Sequence, residues 1–205
     1  MYPIRQSIQL INEFIKDIVH DINTPLSSLL INLKILKLKY NDEEIDRIET
    51  SVKRLNSLFE NLTFINKQLE KNLKNVNVKE LIIEEIDNLK SNYPDIKIKL
   101  NLENVSIYTD PVGFRRIISN LLINSFKHNT KNGWIKINLT KSHLQIINSS
   151  HPIKNINKLF DRYYKESQRG IGIGLSIVKK LADELNLQIK VSYKEGKFIS
   201  IIYFK

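Results

Sequence analysis

With 205 residues, 41% of them hydrophobic, the chain is long enough for one large domain or two small ones with packed cores, which excludes a disordered tail. The absence of cysteine excludes a disulfide framework and thiolate metal sites, and it suits a reducing, cytoplasmic setting. The net charge of +10 comes mostly from lysines scattered among Asn and Ile rather than from a basic stripe with interleaved aromatics, so no nucleic-acid partner is expected.

No apolar run approaches the roughly 20 residues of a membrane span, and Met1-Tyr2-Pro3-Ile4-Arg5 has no apolar signal core. The stretch therefore reads as soluble.

In chain order, Ile8, Ile11, Ile15, Ile18, Ile22, Leu26, Leu29, Leu33 and Leu36 step by three and four, the seam of a long amphipathic helix. After the polar break Lys39-Tyr40-Asn41-Asp42, the residues Ile45, Ile48, Val52, Leu55, Phe59 and Leu62 repeat the period, which predicts an antiparallel helical hairpin. One hairpin buries only one stripe per helix. A second copy, giving a four-helix bundle in a homodimer, is expected to bury the rest. The consecutive steps of four from Ile18 to Ile22 to Leu26 form a stutter. Pro25 lies inside it, removes a backbone donor and crowds the carbonyl four residues back, so a bend is expected just below His20.

His20 follows seam residue Ile18 by two positions, about 200° around the helix, which points it away from the core. An exposed imidazole near neutral pH has a free nitrogen able to attack a γ-phosphate, although taken alone such a histidine is more often a plain surface residue. Its neighbours favour chemistry. Asp21 can accept a hydrogen bond from one ring nitrogen and raise the nucleophilicity of the other, and Thr24, four residues on, shares the face.

From about Val76 the pattern becomes mixed. Leu81, Ile82 and Ile86 suggest a helix, Ile96, Ile98, Leu100 and Leu102 alternate as a strand, and Asp110-Pro111 starts another helix. In that helix Asn120, Asn124, Lys127 and His128 share a polar face opposite Ile118, Leu121 and Leu122. Ile135–Leu139 and Leu144–Ile146 read as strands, Ser176–Asn186 as a helix, and Ile189–Phe204 as a hairpin turning near Glu195-Gly196. Before the last helix, Gly170, Gly172 and Gly174 alternate, so backbone amides can approach phosphates closely and Leu175 opens a helix whose N-terminus suits an anion. The class is α+β, with a domain of residues 1–71, a second of residues 76–205, and a boundary near Lys71 to Asn75.

Taken together, His20-Asp21-Ile22-Asn23-Thr24-Pro25, Asn120-Leu121-Leu122-Ile123-Asn124-Ser125-Phe126-Lys127 and Gly170-Ile171-Gly172-Ile173-Gly174-Leu175 resemble the H, N and G2 boxes of the sensor histidine kinases, in their order and at about their spacing. Phe160-Asp161-Arg162-Tyr163-Tyr164-Lys165 resembles the F box followed by a short ATP lid. The resemblance implies a dimerisation and phosphoacceptor hairpin followed by an α/β-sandwich ATP-binding domain of the Bergerat type. It also implies ATP and Mg²⁺ as cofactors and a response-regulator receiver domain as partner. A membrane enters only through a sensor region outside this stretch, which is thus a cytoplasmic part of a longer kinase or one signalled by another protein.

By the same resemblance, His20 is the nucleophile, Asp21 the general base, and Thr24 the residue that orients water for dephosphorylation of the regulator. Asn124 is the magnesium ligand, an amide oxygen being adequate beside triphosphate oxygens. Lys127 is a phosphate contact, with Asn120 and His128 on the same face, and Arg162, Lys165 and Arg169 are lid cations near the γ-phosphate. Asn23 departs from the basic residue common at its place.

The clearest departure is the G1 box, usually Asp-x-Gly-x-Gly, where this chain has Asn148-Ser149-Ser150-His151-Pro152-Ile153. An Asn at the first place still offers a carbonyl acceptor to the adenine amino group. Ser150 and His151 add bulk in a tight turn, which is expected to weaken ATP binding. This segment keeps open a second class, a pseudokinase that docks a regulator with weak or no ATP turnover. A third, an ATPase of the wider superfamily with chaperone and mismatch-repair proteins, is opposed by the His20 box.

Overall fold

The computed structural model describes the backbone of residues 2–40, 42–66, 69, 71–166 and 172–204; side chains in the first helix are described at Ile18 and from Asp21 onward. The chain divides into two compact units, Met1–Gln68 and Leu69–Lys205.

The first unit is a pair of helices, α1 (Tyr2–Lys39) and α2 (Glu43–Asn66), packed along each other. Pro25 lies within α1, which continues as helix on both sides of it. Leu26, Leu33 and Val52 form the buried core, with Leu30 and Ile45 against it. At the turn, Lys37 reaches across to Asp46 at 2.8 Å and Glu49 at 2.5 Å, and these two carboxylates hold its ammonium pKa above the ordinary lysine range. The acidic first turn of α2 (Glu43, Glu44, Asp46) complements the positive end of its helix dipole.

The second unit is a mixed sheet backed by helices. Its elements are β1 (Lys74–Asn77), α3 (Val78–Lys90), β2 (Lys97–Leu102), β3 (Ser106–Thr109), α4 (Pro111–Lys127), β4 (Trp134–Leu139), β5 (His143–Ser149), α5 (Gly174–Glu184), β6 (Gln188–Lys194) and β7 (Lys197–Tyr203). The main sheet runs β2-β4-β5-β7-β6, with β2 and β4 parallel and the remaining pairs antiparallel. β1 and β3 make a separate two-stranded ribbon. The last helix begins at Gly174, two residues before the expected start, and ends at Glu184. The β6–β7 turn falls at Glu195 and Gly196, both at positive φ (50° and 73°), the backbone that a two-residue hairpin loop requires.

The core comes from the alternating strand residues Ile135, Ile137, Leu144, Ile146 and Ile202 and from Phe114, Ile117, Ile118, Leu121 and Leu122 of α4. Helix α4 is set by its cap. Asp110 is buried, accepts from the amide of Gly113 at 2.7 Å and also takes the amide of Asn72 at 2.9 Å, so one carboxylate starts the helix and anchors the incoming chain.

Candidate functional site

Positions 20 and 24 fall one turn apart on the unbroken backbone of α1, which places His20 and Thr24 on the same helical face. Thr24 and Asp21 are exposed; the His20 side chain lies outside the described residues.

In the second unit, α4 presents Asn120, Asn124 and Lys127, all half-buried, and ends at His128, whose amide bonds back to the carbonyl of Asn124 at 3.0 Å. The amide nitrogen of Asn120 donates to the carbonyl of Arg116 at 2.8 Å. Its oxygen faces the start of α5, where a Cβ on Gly174 would lie 3.1 Å away. The Asn124 amide has no side-chain partner among the described residues, which leaves its oxygen free for a hard cation. No cluster of His, Cys, Asp and Glu that could hold a metal occurs among those residues.

The N-terminus of α5 differs from those of α3 and α4. Asn77 and Asp110 cap the latter two through their side chains, whereas Ile173 caps α5 and offers no side-chain acceptor. The first amides of α5 therefore keep their donors for an anion, and the glycine at its first position leaves room for close approach. Gly172 sits at φ +76° and its carbonyl accepts from the amide of Tyr163 at 2.9 Å, joining the glycine run to the Phe160–Lys165 segment. Arg162 and Lys165, on either side of Tyr163 and Tyr164 in the chain, are exposed, and Leu175 is half-buried in the first turn of α5. Arg169 and Gly170 lie outside the described residues.

Asn148, near the end of β5, is 1% exposed. Its amide nitrogen donates to the carbonyl of Ser149 at 2.8 Å, while its oxygen is buried with no partner. Leaving a buried acceptor unpaired costs about 1–3 kcal/mol. An orphan of this kind fits a donor supplied by a ligand, such as an adenine amino group. Ser150 turns inward, its amide on the carbonyl of Gly196 at 2.8 Å and its hydroxyl on the carbonyl of His151 at 3.0 Å, and His151 is exposed. The added bulk of this turn is thereby tied back onto the chain itself.

Two supporting groups escaped sequence reasoning. Glu166 accepts from the amides of Lys154 at 3.1 Å and Asn155 at 3.0 Å and from the Tyr164 hydroxyl, so it pins the loop after β5 to the lid segment. Burial pushes the Glu166 carboxyl pKa up, but the Tyr164 hydroxyl and the two amides outweigh it and hold it below the ordinary range; the Tyr164 phenol is held above its own. Ser149 accepts from the amide of Trp134 at 3.0 Å and donates to the side-chain oxygen of Asn129, closing the end of β5 onto the loop after α4. Gly133 lies in this knot, where a Cβ would come within 2.0 Å of Asn129 and 2.3 Å of Ser149.

Two family models match this arrangement, the His Kinase A (phospho-acceptor) domain over residues 10–70 and the histidine kinase-, DNA gyrase B- and HSP90-like ATPase over residues 109–205. The chain belongs to the sensor histidine kinases. The sensor histidine kinase YvrG of Bacillus subtilis is 32% identical, the match taking in 98% of this chain and 40% of that protein. ArlS, a signal transduction histidine-protein kinase of Staphylococcus aureus, is 26% identical over 99% of this chain and 51% of its own length. The chain thus spans about half or less of the curated kinases it matches. Among solved structures, the histidine kinase AdeS of Acinetobacter baumannii shares the fold at a TM-score of 0.64 and 20% identity, covering 90% of this chain and 96% of that one. No helix among the described residues of this family member is long and apolar enough to cross a membrane.

Proposed function

We propose that the chain is an ATP-dependent autokinase core that phosphorylates His20 and passes the phosphoryl group to an aspartate of a response-regulator receiver domain, with regulator dephosphorylation as a further activity. The observation that carries the ATP half is the buried, unpartnered oxygen of Asn148 in the unit where Asn120 meets the uncapped N-terminus of α5. The same atom speaks against a pseudokinase, because a chain with no nucleotide to bind would gain stability by losing a buried orphan acceptor.

In this reading, one imidazole nitrogen of His20 attacks the γ-phosphorus of ATP; a nitrogen–phosphorus bond forms as the bond to the bridging oxygen breaks, and ADP leaves. Asp21, the general base, holds the tautomer through the other ring nitrogen, takes its proton as charge develops on the ring, and returns it when the imidazole leaves phosphorus. The regulator's carboxylate then attacks the same phosphorus and frees the imidazole. Thr24, one turn below, orients water when the regulator is dephosphorylated.

Asn148 accepts from the adenine amino group, Ser150 and Leu175 border the base, and Gly170, Gly172 and Gly174 bring backbone amides to the phosphates. Lys127, Arg162, Lys165 and Arg169 supply positive charge to those phosphates, with Asn120 and His128 beside them. Asn124 would hold Mg²⁺, which neutralises phosphate charge when bound.

We further propose division into a phosphoacceptor domain of residues 1–71 and an ATP-binding domain of residues 76–205, and a homodimer through the hairpin. Ile18, Leu29, Leu36, Ile48 and Leu55 belong to the two apolar seams yet remain 37–51% exposed in the single chain. A second hairpin would cover them, completing a four-helix bundle.

The test is a chase. Chain labelled from γ-labelled ATP with magnesium is mixed with a purified receiver domain; label should leave the kinase and appear on the receiver as an acyl phosphate. Failure of any label to enter the kinase would remove the proposal.

A further inference from the structure

Among the described residues of the second unit, burial alternates along the strands of the main sheet, so its helices pack on one side. Its inward residues are buried, and alternate positions emerge on an open face with an uneven charge. In one row Lys99 pairs with Lys136, Lys136 with Ile147, Ile147 with Ile199 and Ile199 with Ser192. In the next, Lys190 pairs with Ile201 and Ile201 with Gln145. The row nearest the β6–β7 turn contains Lys97 opposite Trp134, then Ser149, Lys197 and Lys194. No Asp or Glu occupies an outward position on any of these strands, although the chain holds 22 acidic residues. Glu195, in the β6–β7 turn, is 3.9 Å from the ammonium of Lys194.

We infer that this open face docks an acidic amphipathic helix of a protein partner. The isoleucines lie on the central strands β5 and β7 and are half-buried, while longer lysines rise from β2 and β4 on one flank and from β6 on the other. The apolar stripe is therefore recessed between cationic walls. From β4 to β6 is three strand spacings, about 14 Å, and a helix with its side chains is about 10–12 Å across. A single helix fits the trough, its apolar stripe on Ile147, Ile199 and Ile201 and its carboxylates against Lys136 and Lys190. A flat lipid surface would need the apolar groups to stand proud of the lysines. A DNA backbone would satisfy the lysines and leave the isoleucines uncovered. The net positive charge read from the sequence is scattered along the chain; the gathering of Lys97, Lys99, Lys136, Lys190, Lys194 and Lys197 around an apolar centre is what the fold adds.

The docking face is distinct from the groups placed in phosphotransfer, so its test is independent of them. Trp134 is the only tryptophan of the chain and lies on this face, so its emission reports occupancy directly. The whole chain is titrated with a synthetic helix carrying a leucine stripe flanked by glutamates, with the same helix flanked by lysines, with phosphatidylglycerol vesicles and with duplex DNA. The acidic helix alone should give a saturable emission change that weakens with salt. Lys136→Glu and Lys190→Glu, one on each flank, should each reduce its affinity about tenfold or more by turning attraction into repulsion, with autophosphorylation unchanged. Should Lys136→Glu fail to fold, the exposed Lys190→Glu decides alone. No response to the acidic helix, unchanged affinity in Lys190→Glu, or saturable binding of vesicles or DNA in its place overturns the inference.

Discussion

A Cβ added to Gly172 would lie 2.4 Å from the backbone carbonyl oxygen of Tyr164, so at Gly172 the glycine run meets the main chain of the lid segment. Neither partner can swing aside as a flexible side chain could, and φ of +76° is a conformation that L side chains rarely adopt. Gly172→Ala should therefore push the lid segment off the start of α5 and lower ATP affinity about tenfold or more, since several amide and lid contacts move together. Gly196→Ala is the control. It shares the positive φ (73°) but meets nothing within 4 Å, so it should cost about 1 kcal/mol of stability and leave nucleotide binding intact. Calorimetric titration of ATP into the two variants separates a loss at the site from backbone strain.

Asn148 offers a sharper pair of substitutions. With its nitrogen held by the Ser149 carbonyl, only its oxygen is available to a base. Asn148→Ala should weaken ATP binding and bring GTP to near parity, because the acceptor that distinguishes an amino group from a carbonyl is gone. Asn148→Asp should keep ATP binding but lower the stability of the free protein by about 1–3 kcal/mol, as a carboxylate oxygen replaces the donor that faced Ser149. Nucleotide titrations and urea unfolding of the three proteins read both effects. ATP binding by the alanine variant at parental affinity would place the adenine contact elsewhere.

What was legible in the sequence follows from the range of the forces involved. The helical pair was readable because a three-and-four spacing of apolar residues is local, and the β6–β7 turn because Glu195-Gly196 announces its own backbone. The ribbon was not: Lys74–Asn77 has a single apolar residue, Val76, and becomes a strand only by pairing with Ser106–Thr109, distant in the chain. The parallel pairing of β2 with β4 is likewise non-local. Asn148 was recognisable by type and place, but its burial and its orphaned oxygen exist only once β5 lies between β4 and β7. Glu166 carried no signal, since a lone acidic residue after a lid motif gives no hint that two amides and a phenol converge on it.

The hairpin makes a prediction about assembly. Leu55 is 46% exposed, whereas Leu33, on the buried side of α1, is 5% exposed. Leu55→Glu should convert a dimer to a monomer while leaving helix content nearly unchanged; Leu33→Glu should unfold the hairpin itself, at about 3 kcal/mol or more for a charge in an apolar core. Light scattering with circular dichroism distinguishes the two outcomes. A wild-type chain that is monomeric at all concentrations would refute the four-helix bundle.

The depressed pKa of Glu166 sets a direction with pH. A carboxyl whose folded pKa is below its unfolded value, about 4.3 for Glu, contributes stability that is fully present above that value and is lost as pH falls through the folded pKa. Glu166→Gln should therefore be less stable than the parent at neutral pH, with the gap closing below about pH 4. Melting temperatures of both proteins across that range measure it. A gap that stays constant with pH would mean the carboxylate's charge contributes nothing.

Label transfer to α1 tests the kinase reading most directly. The chain, its His20→Ala variant and its Thr24→Ala variant are incubated with γ-labelled ATP and magnesium, and the products are treated with acid and with base. The parent and Thr24→Ala should carry label that acid removes and base does not, as a phosphoramidate requires, and His20→Ala should carry none. Label retained in His20→Ala, or an adduct stable to acid, would contradict phosphorylation at that imidazole.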